Sequence, residues 1–232
     1  MKIAVIGVTG VGKTSWINQF WGLAEGHPDR DGHGSPPDEC TLQASLYEVK
    51  ENPTLVISEI PGEFTEEFPI ESYYEDIKID SYDAFVLLMR GNLRGRYKKK
   101  EIELVAKTGK YCYFGHTHFD GVMKDGHGKD DTAKKMRDRM EAFINESDIT
   151  PSQWGSEVFL LTDKPERDMG GWTPDNDKLK ETILEDLSKL VMDRKREEER
   201  RRREEERRKA EERREAEERR QAEERRWLCN IV

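Results

Sequence analysis

The sequence predicts an α/β fold, a mostly parallel sheet flanked by helices, followed by a long charged single α-helix. Three observations carry this. Short apolar runs recur between residues 2 and 161 with helical stretches between them, and strands alternating with helices imply a mostly parallel sheet covered on both faces. Residues 7–14 read Gly7-Val8-Thr9-Gly10-Val11-Gly12-Lys13-Thr14, a full phosphate-binding loop in the strand–loop–helix setting that the motif requires. Residues 193–226 are blocks of Glu and Arg with almost no apolar residue.

Taken in order, Lys2-Ile3-Ala4-Val5-Ile6 is an apolar run fit for a buried parallel strand. Trp16, Ile17, Phe20 and Trp21 then recur at helical spacing. Residues 23–41, rich in Gly, Pro, His and Asp, read as a long mobile loop. Leu42, Ala44 and Leu46 alternate with polar residues, the pattern of a half-buried strand. Thr54-Leu55-Val56-Ile57 is a buried strand leading into Ser58-Glu59-Ile60-Pro61-Gly62. Further core strands are expected at Asp83–Met89, at Tyr111–Phe114 running into Gly115-His116-Thr117-His118-Phe119-Asp120, and at Val158–Leu161 followed by Thr162-Asp163-Lys164. Helices are expected near 66–79, 98–108 and 131–147. Thr173-Pro174 reads as an N-cap with Pro at the first helical position. Leu179, Ile183, Leu187, Leu190 and Val191 form the apolar stripe of the helix that follows.

Residues 193–226 hold 16 Lys and Arg against 14 Asp and Glu. Glu precedes Arg by four at Glu197/Arg201, Glu198/Arg202, Glu199/Arg203 and Glu204/Arg208. Each such pair adds little, but many in series hold a helix without a core. Ala210, Ala216 and Ala222 are the only apolar residues among the charges, so no apolar heptad seam exists and a solvated single helix is expected rather than a coiled coil. As a helix, 34 residues reach about 50 Å. The domains read as 1–192, a 193–226 helical stalk, and a 227–232 tail.

The whole chain carries −9, so the local surplus of two positive charges leaves −11 for residues 1–192. An acidic body argues against nucleic acid as a partner, which wants a basic face. Cys40, Cys112 and Cys229 are scattered and odd in number, which is no disulfide framework and points to a reducing, cytoplasmic setting. No apolar run is long enough to span a membrane as a helix. The N-terminus enters the first strand with no room for a signal peptide, and no Gly stands at position 2 for myristoylation.

The chemistry of the loop follows from its residue types. Gly7, Gly10 and Gly12, with Val11 between, let backbone N–H groups turn inward around a phosphate, and the helix behind adds its positive end. Lys13 reaches the β- and γ-phosphates, and the Thr14 hydroxyl can ligate Mg²⁺. The base is chosen elsewhere, at the end of a later strand, where Thr117-His118-Phe119-Asp120 stands. A carboxylate there accepts from guanine N1–H and N2–H₂, a donor pair that adenine lacks. Asp120 is therefore the expected guanine reader. Reading His116, His118 and Asp120 as metal ligands instead lacks a second ligand cluster, so no zinc site is expected. Glu59-Ile60-Pro61-Gly62 offers an acid near Mg²⁺ and a Gly whose N–H meets the γ-phosphate.

On these residues the chain resembles the G domain of the immunity-related, interferon-inducible GTPases. The matching stretches are Gly7–Thr14, Glu59–Gly62, Phe68-Pro69 through Tyr82-Asp83-Ala84-Phe85, Tyr113–Asp120 and Val158–Thr162. The resemblance covers roughly residues 1–192 and implies a P-loop GTPase G domain, GTP and GDP with Mg²⁺ as ligands, and pairing of two G domains when GTP is bound. The family writes its guanine box Thr-Lys-x-Asp; here His118 replaces the Lys, and an imidazole face would stack over the base in its stead. The family's Asp-x-Pro-Gly is Glu59-Ile60-Pro61-Gly62, with an acid one methylene longer. The family also carries a helical domain built from segments on both sides of the G domain; here nothing precedes the first strand, and a Glu/Arg helix follows.

Thr41, closing the long loop, is expected to meet Mg²⁺ and the γ-phosphate. Thr162-Asp163-Lys164 is expected to offer backbone N–H to the guanine carbonyl. Glu63 stands where Ras-like enzymes place a water-positioning Gln, so slow intrinsic turnover is expected, raised by a partner; Arg90, Arg94 and Arg96 could act in trans. Cys229-Asn230-Ile231-Val232 matches a C-a-a-X pattern, with Cys229 the lipid acceptor that would bring the chain to the cytoplasmic face of a membrane as a GTP-driven switch. Two rivals remain: a nucleotide-binding scaffold with negligible hydrolysis, and a P-loop ATPase or kinase.

Overall fold

The computed structural model describes residues 1–20, 45–49, 52–60, 78–90, 96–120, 129–146, 154, 157–162 and 173–229. The chain divides into two compact units, Met1–Ile183 and Leu184–Val232.

In the first unit the strands are β1 (Lys2–Ile6), β2 (Ser45–Val49), β3 (Asn52–Glu59), β4 (Ala84–Met89), β5 (Tyr111–His116) and β6 (Val158–Leu160). The helices are α1 (Lys13–Phe20), α2 (Arg96–Lys107), α3 (Lys129–Asn145) and the start of α4 (Asn176–Cys229). One sheet holds all six strands in the order β2-β3-β1-β4-β5-β6. Among the described residues only β2 runs antiparallel, against β3, and the other pairings are parallel. Of the strand expected from Leu42, Ala44 and Leu46, residues 42–44 lie outside the described residues and Ser45–Val49 is a strand; those expected at 54–57, 83–89, 111–114 and 158–161 agree within two residues at each end. The helices expected at 98–108 and 131–147 stand at Arg96–Lys107 and Lys129–Asn145. Most of the helix expected at 66–79 lies outside the described residues; a 3₁₀ turn occupies Ile79–Ser81.

The central strands are apolar throughout because both faces are covered. Every residue of β4 is buried, as are Ile3 to Ile6 of β1. On one face Ala4, Ile6, Phe85, Leu87 and Phe114 pack with Ile102 and Val105 of α2 and Met140 and Ile144 of α3. The two-residue period sends Ile3, Val5, Val86 and Leu88 to the other face, all at most 1% exposed. Cys112 lies in the first cluster, and burial pushes its thiol well above the ordinary range, an inert packing role.

The chain leaves β1 toward β3 on one side and reaches β4 on the other. Such a reversal opens a crevice at the carboxyl ends of the strands, where open α/β sheets bind ligands. The register brings those ends level: Val5 pairs with Glu59, Ile6 with Leu87, Met89 with His116, and His116 with Leu160.

The second unit lies in α4, which is helical without a break from Asn176 to Cys229. No Gly or Pro occurs in that span. The expected spacing is seen at Glu197–Arg201 (3.0 Å), Glu199–Arg203 (2.6 Å) and Glu205–Lys209 (2.5 Å). Pairs of the opposite order also form, Arg202–Glu206 at 3.4 Å and Arg208–Glu212 at 3.6 Å. Hydrogen bonds from Arg200 and Arg201 hold the Glu197 carboxyl below its ordinary value, and one from Lys209 does the same for Glu205. Among the described residues no helix is long and apolar enough to cross a membrane.

A depressed carboxylate contributes helix stability above its ordinary pKa of 4.5 and loses it as pH falls through the lowered value. Circular dichroism of a 193–226 peptide should therefore show helix at neutral pH that weakens on acidification below that value and in high salt. Helicity independent of peptide concentration fits a single helix; a concentration-dependent transition would restore the coiled coil.

Candidate functional site

The phosphate loop leaves β1 at the crevice and turns straight into α1. Its three glycines all have positive φ, and at Gly7 and Gly12 space is limiting as well, whereas at Gly10 it is open. Gly7 has φ 152°, and a Cβ there would stand 2.6 Å from the Leu88 carbonyl oxygen of β4. Gly12 has φ 98°, and a Cβ would stand 3.3 Å from His118 Nε2. The first contact is with backbone that cannot yield, so the loop lies flush on the end of the sheet.

Lys13, at the first position of α1, is buried at 6% exposure. Its Nζ donates to the Gly7 carbonyl at 2.9 Å and to that of Val8 at 3.5 Å, which holds the ammonium inside the loop. Thr14 Oγ1 lies 2.8 and 2.9 Å from the two carboxylate oxygens of Glu59. Glu59 ends β3 and is 4% exposed. The two residues expected at the metal, 45 positions apart, are thus in direct contact. Their fit to Mg²⁺ can be judged from that spacing. The ion takes hard oxygen ligands, and neighbouring oxygens of an octahedral shell with bonds of about 2.1 Å stand about 3 Å apart.

At the end of β5 the ladder runs on past the strand. Thr117 N–H donates to Met89 O, Leu161 N–H to His116 O and Phe119 N–H to Leu161 O. Thr117 Oγ1 donates to Val11 O at 2.5 Å and also lies 3.2 Å from Met89 O. The Thr117 side chain therefore ties the phosphate loop to the sheet while lining the cleft. Phe119 is fully buried with Ala133 and Leu160. It anchors the segment, and His118 and Asp120 on either side of it are each partly exposed. His118 has φ 55°, a left-handed conformation uncommon for a residue with a side chain. Gly12, Trp16, Gln19, Thr117, His118 and Thr162 line a shallow cleft between α1 and the ends of β5 and β6.

Two residues that the sequence reading missed stand behind this wall. Asp175 precedes α4, and its carbonyl accepts the first helical bond, from Leu179 N–H at 2.8 Å. Asp175, not Thr173, is therefore the N-cap, and Pro174 lies outside the helix. The physical reason is the open edge of β6: Asp175 N–H donates to Leu160 O at 2.9 Å, and Asp175 Oδ2 accepts from Leu160 N–H at 2.8 Å and from Arg137 at 2.6 Å. Asn176 continues the same pairing with Thr162. No local pattern announces this, since Leu160 and Thr162 stand 15 and 14 residues away.

Thr41, Gly62, Asp163 and Lys164, expected at the metal, the γ-phosphate and the base, lie outside the described residues, as do Glu63 and Arg94. Arg90, just past β4, is exposed.

Against known families, residues 1–196 match the model described as interferon-inducible GTPase. The chain belongs to the interferon-inducible GTPase family. It is 27% identical over 170 residues to interferon-inducible GTPase 1 of Mus musculus, a match covering 71% of this chain and 40% of that protein. It is 31% identical over 120 residues to interferon-gamma-inducible GTPase 10 of Mus musculus, covering 52% and 28%. The chain thus spans about two fifths or less of these relatives. Among solved structures it is similar in fold to an Aquifex aeolicus Era variant bound to GDP.AlF4-, with TM-score 0.55 and 16% identity over 79% of this chain and 56% of that one.

Proposed function

We propose that this chain binds guanine nucleotide together with Mg²⁺ and hydrolyses GTP to GDP slowly. The observation that carries the reading is the contact between Thr14 and Glu59 beside the buried Lys13 ammonium, on a sheet whose β5 end presents Asp120. Names of relatives and the GDP-bound state of a structural neighbour support the choice of guanine nucleotide.

Each residue then has a task. Backbone N–H groups of Gly10 to Thr14 surround the phosphates, and α1 adds the positive end of its dipole. Lys13 has three donors, so it can keep the Gly7 carbonyl and still reach a phosphate oxygen. Thr14, by donating its proton to Glu59, turns its lone pairs outward, and Thr14 and Glu59 are the residues that would hold the metal, with Thr41 closing from the first switch. Bound Mg²⁺ supplies charge neutralisation across the phosphates. Gly62 would sense the γ-phosphate. Asp120 reads the base, with His118 beside it and the Thr162–Lys164 segment meeting the guanine carbonyl. With Glu63 where an amide donor would orient water, the rate depends on a second G domain, with Arg90, Arg94 and Arg96 as the groups that would act in trans. A scaffold with negligible turnover is the second reading, favoured by acids at both 59 and 63. Switch behaviour at a cytoplasmic membrane surface rests on Cys229-Asn230-Ile231-Val232 alone. Mass spectrometry of protein made in eukaryotic cells should find a Cys229 thioether, and an unmodified Cys229 removes that part of the reading.

Asp120→Asn exchanges an acceptor for a mixed amide and should move preference from guanine to xanthine nucleotide. Asp120→Ala should weaken GDP binding by about 10–100-fold, the loss of hydrogen bonds to a charged group; unchanged affinity would refute the base site.

GTP turnover per molecule should rise with protein concentration. Turnover that stays flat across roughly hundredfold dilution, at saturating GTP, would remove activation by pairing. A single-turnover assay showing no hydrolysis at any concentration would favour the scaffold.

A further inference from the structure

The Asn176 side chain makes three bonds at the base side of the cleft. Its Oδ1 accepts from Thr162 N–H at 3.1 Å, and its Nδ2 donates to Thr162 O at 2.9 Å. The second Nδ2 proton goes to Gln19 Oε1 on α1. This amide orientation alone satisfies both groups of Thr162. One side chain thereby replaces the missing neighbour of an edge strand and fixes the Thr162 peptide group in both directions. Thr162 is 3% exposed, and with Gln19 it lines the cleft. Lys180, one turn along α4, places Nζ 5.3 Å from the Phe20 ring centroid of α1, so the two helices also meet beyond the amide.

We infer that Asn176 is a positioning residue for the base: by clamping Thr162 to α4 and to Gln19 of α1, it sets the wall of the cleft that meets the carbonyl edge of guanine. The inference rests on the guanine reading of the cleft and deepens it. Two elements then divide the base between them. Asp120, at the end of β5, addresses the N1–H and N2–H₂ edge. Thr162, just past β6, gives its own N–H to Asn176, so it acts on the O6 side by placing the Asp163-Lys164 donors expected there, and Asn176 controls only that side. A merely structural Asn176 would instead weaken every nucleotide alike.

This division is testable with three diphosphates that differ by single groups on the base. GDP carries both O6 and the 2-amino group, IDP lacks the 2-amino group, and the 2-aminopurine nucleotide lacks O6. Calorimetric affinities of the full chain for all three, with Mg²⁺, are compared in wild type, Asn176→Ala, Asn176→Asp and Asp120→Ala. Asn176→Ala should reduce the preference for GDP over the 2-aminopurine nucleotide about tenfold, the size expected when part of the loss of its three hydrogen bonds is felt at the base. Its preference for GDP over IDP should change less than about twofold. Asn176→Asp keeps the acceptor for Thr162 N–H and the cap-friendly residue type but loses both donors; it should show the same direction with a smaller change, and serves if the alanine variant does not fold. Asp120→Ala should lose the preference over IDP. Wild type that discriminates guanine, with both ratios in the Asn176 variants unchanged or falling in proportion, overturns this inference alone. Wild type with no preference for guanine over adenine diphosphate overturns the base-site reading and this inference with it.

Discussion

The site depends on how closely the phosphate loop sits on the end of the sheet. Gly7 passes so near the Leu88 carbonyl that a Cβ would stand 2.6 Å from it. Thr117 Oγ1 reaches across from β5 to the Val11 carbonyl at 2.5 Å. One contact is made by leaving an atom out, the other by a buried hydroxyl. Between them they fix the loop to two strands it does not belong to. A loop so held needs little reorganisation to receive a phosphate, and preorganisation of donors is the larger part of what such a site offers.

The same register decides the metal side. Val5 lies opposite Glu59, so the last residue of β3 comes level with the start of the phosphate loop. An acid one methylene longer than the Asp of the family pattern still meets the Thr14 hydroxyl with both oxygens within 2.9 Å. The longer side chain stays buried at 4% exposure with Thr14 as its partner.

Much of this was legible from the sequence because its determinants are local. The runs Ile3–Ile6 and Ala84–Met89 are apolar without interruption because both faces are covered, and that pattern needs no knowledge of neighbours. The phosphate loop is eight consecutive residues, and Thr117–Asp120 lie together at one strand end. What escaped were contacts across space. Thr173-Pro174 has the composition of a helix start, yet the helix begins at Asn176 because the open edge of β6 captures Asp175 and Asn176. Thr117 gains a second task in the same way: the box motif names it, but only the fold shows its hydroxyl donating to the Val11 carbonyl of the phosphate loop. The Glu/Arg spacing announced a helix, and the absence of Gly and Pro after residue 175 let it join the apolar helix before it into one element.

The central claim is that this crevice selects guanine nucleotide and does so with a metal. Isothermal titration of the full chain with GDP, GTP and ATP, each with and without Mg²⁺, tests it directly. The account predicts binding of both guanine nucleotides, no comparable binding of ATP, and a marked loss of GTP affinity when Mg²⁺ is withheld. Equal affinity for ATP and GTP, or GTP binding indifferent to Mg²⁺, would contradict it.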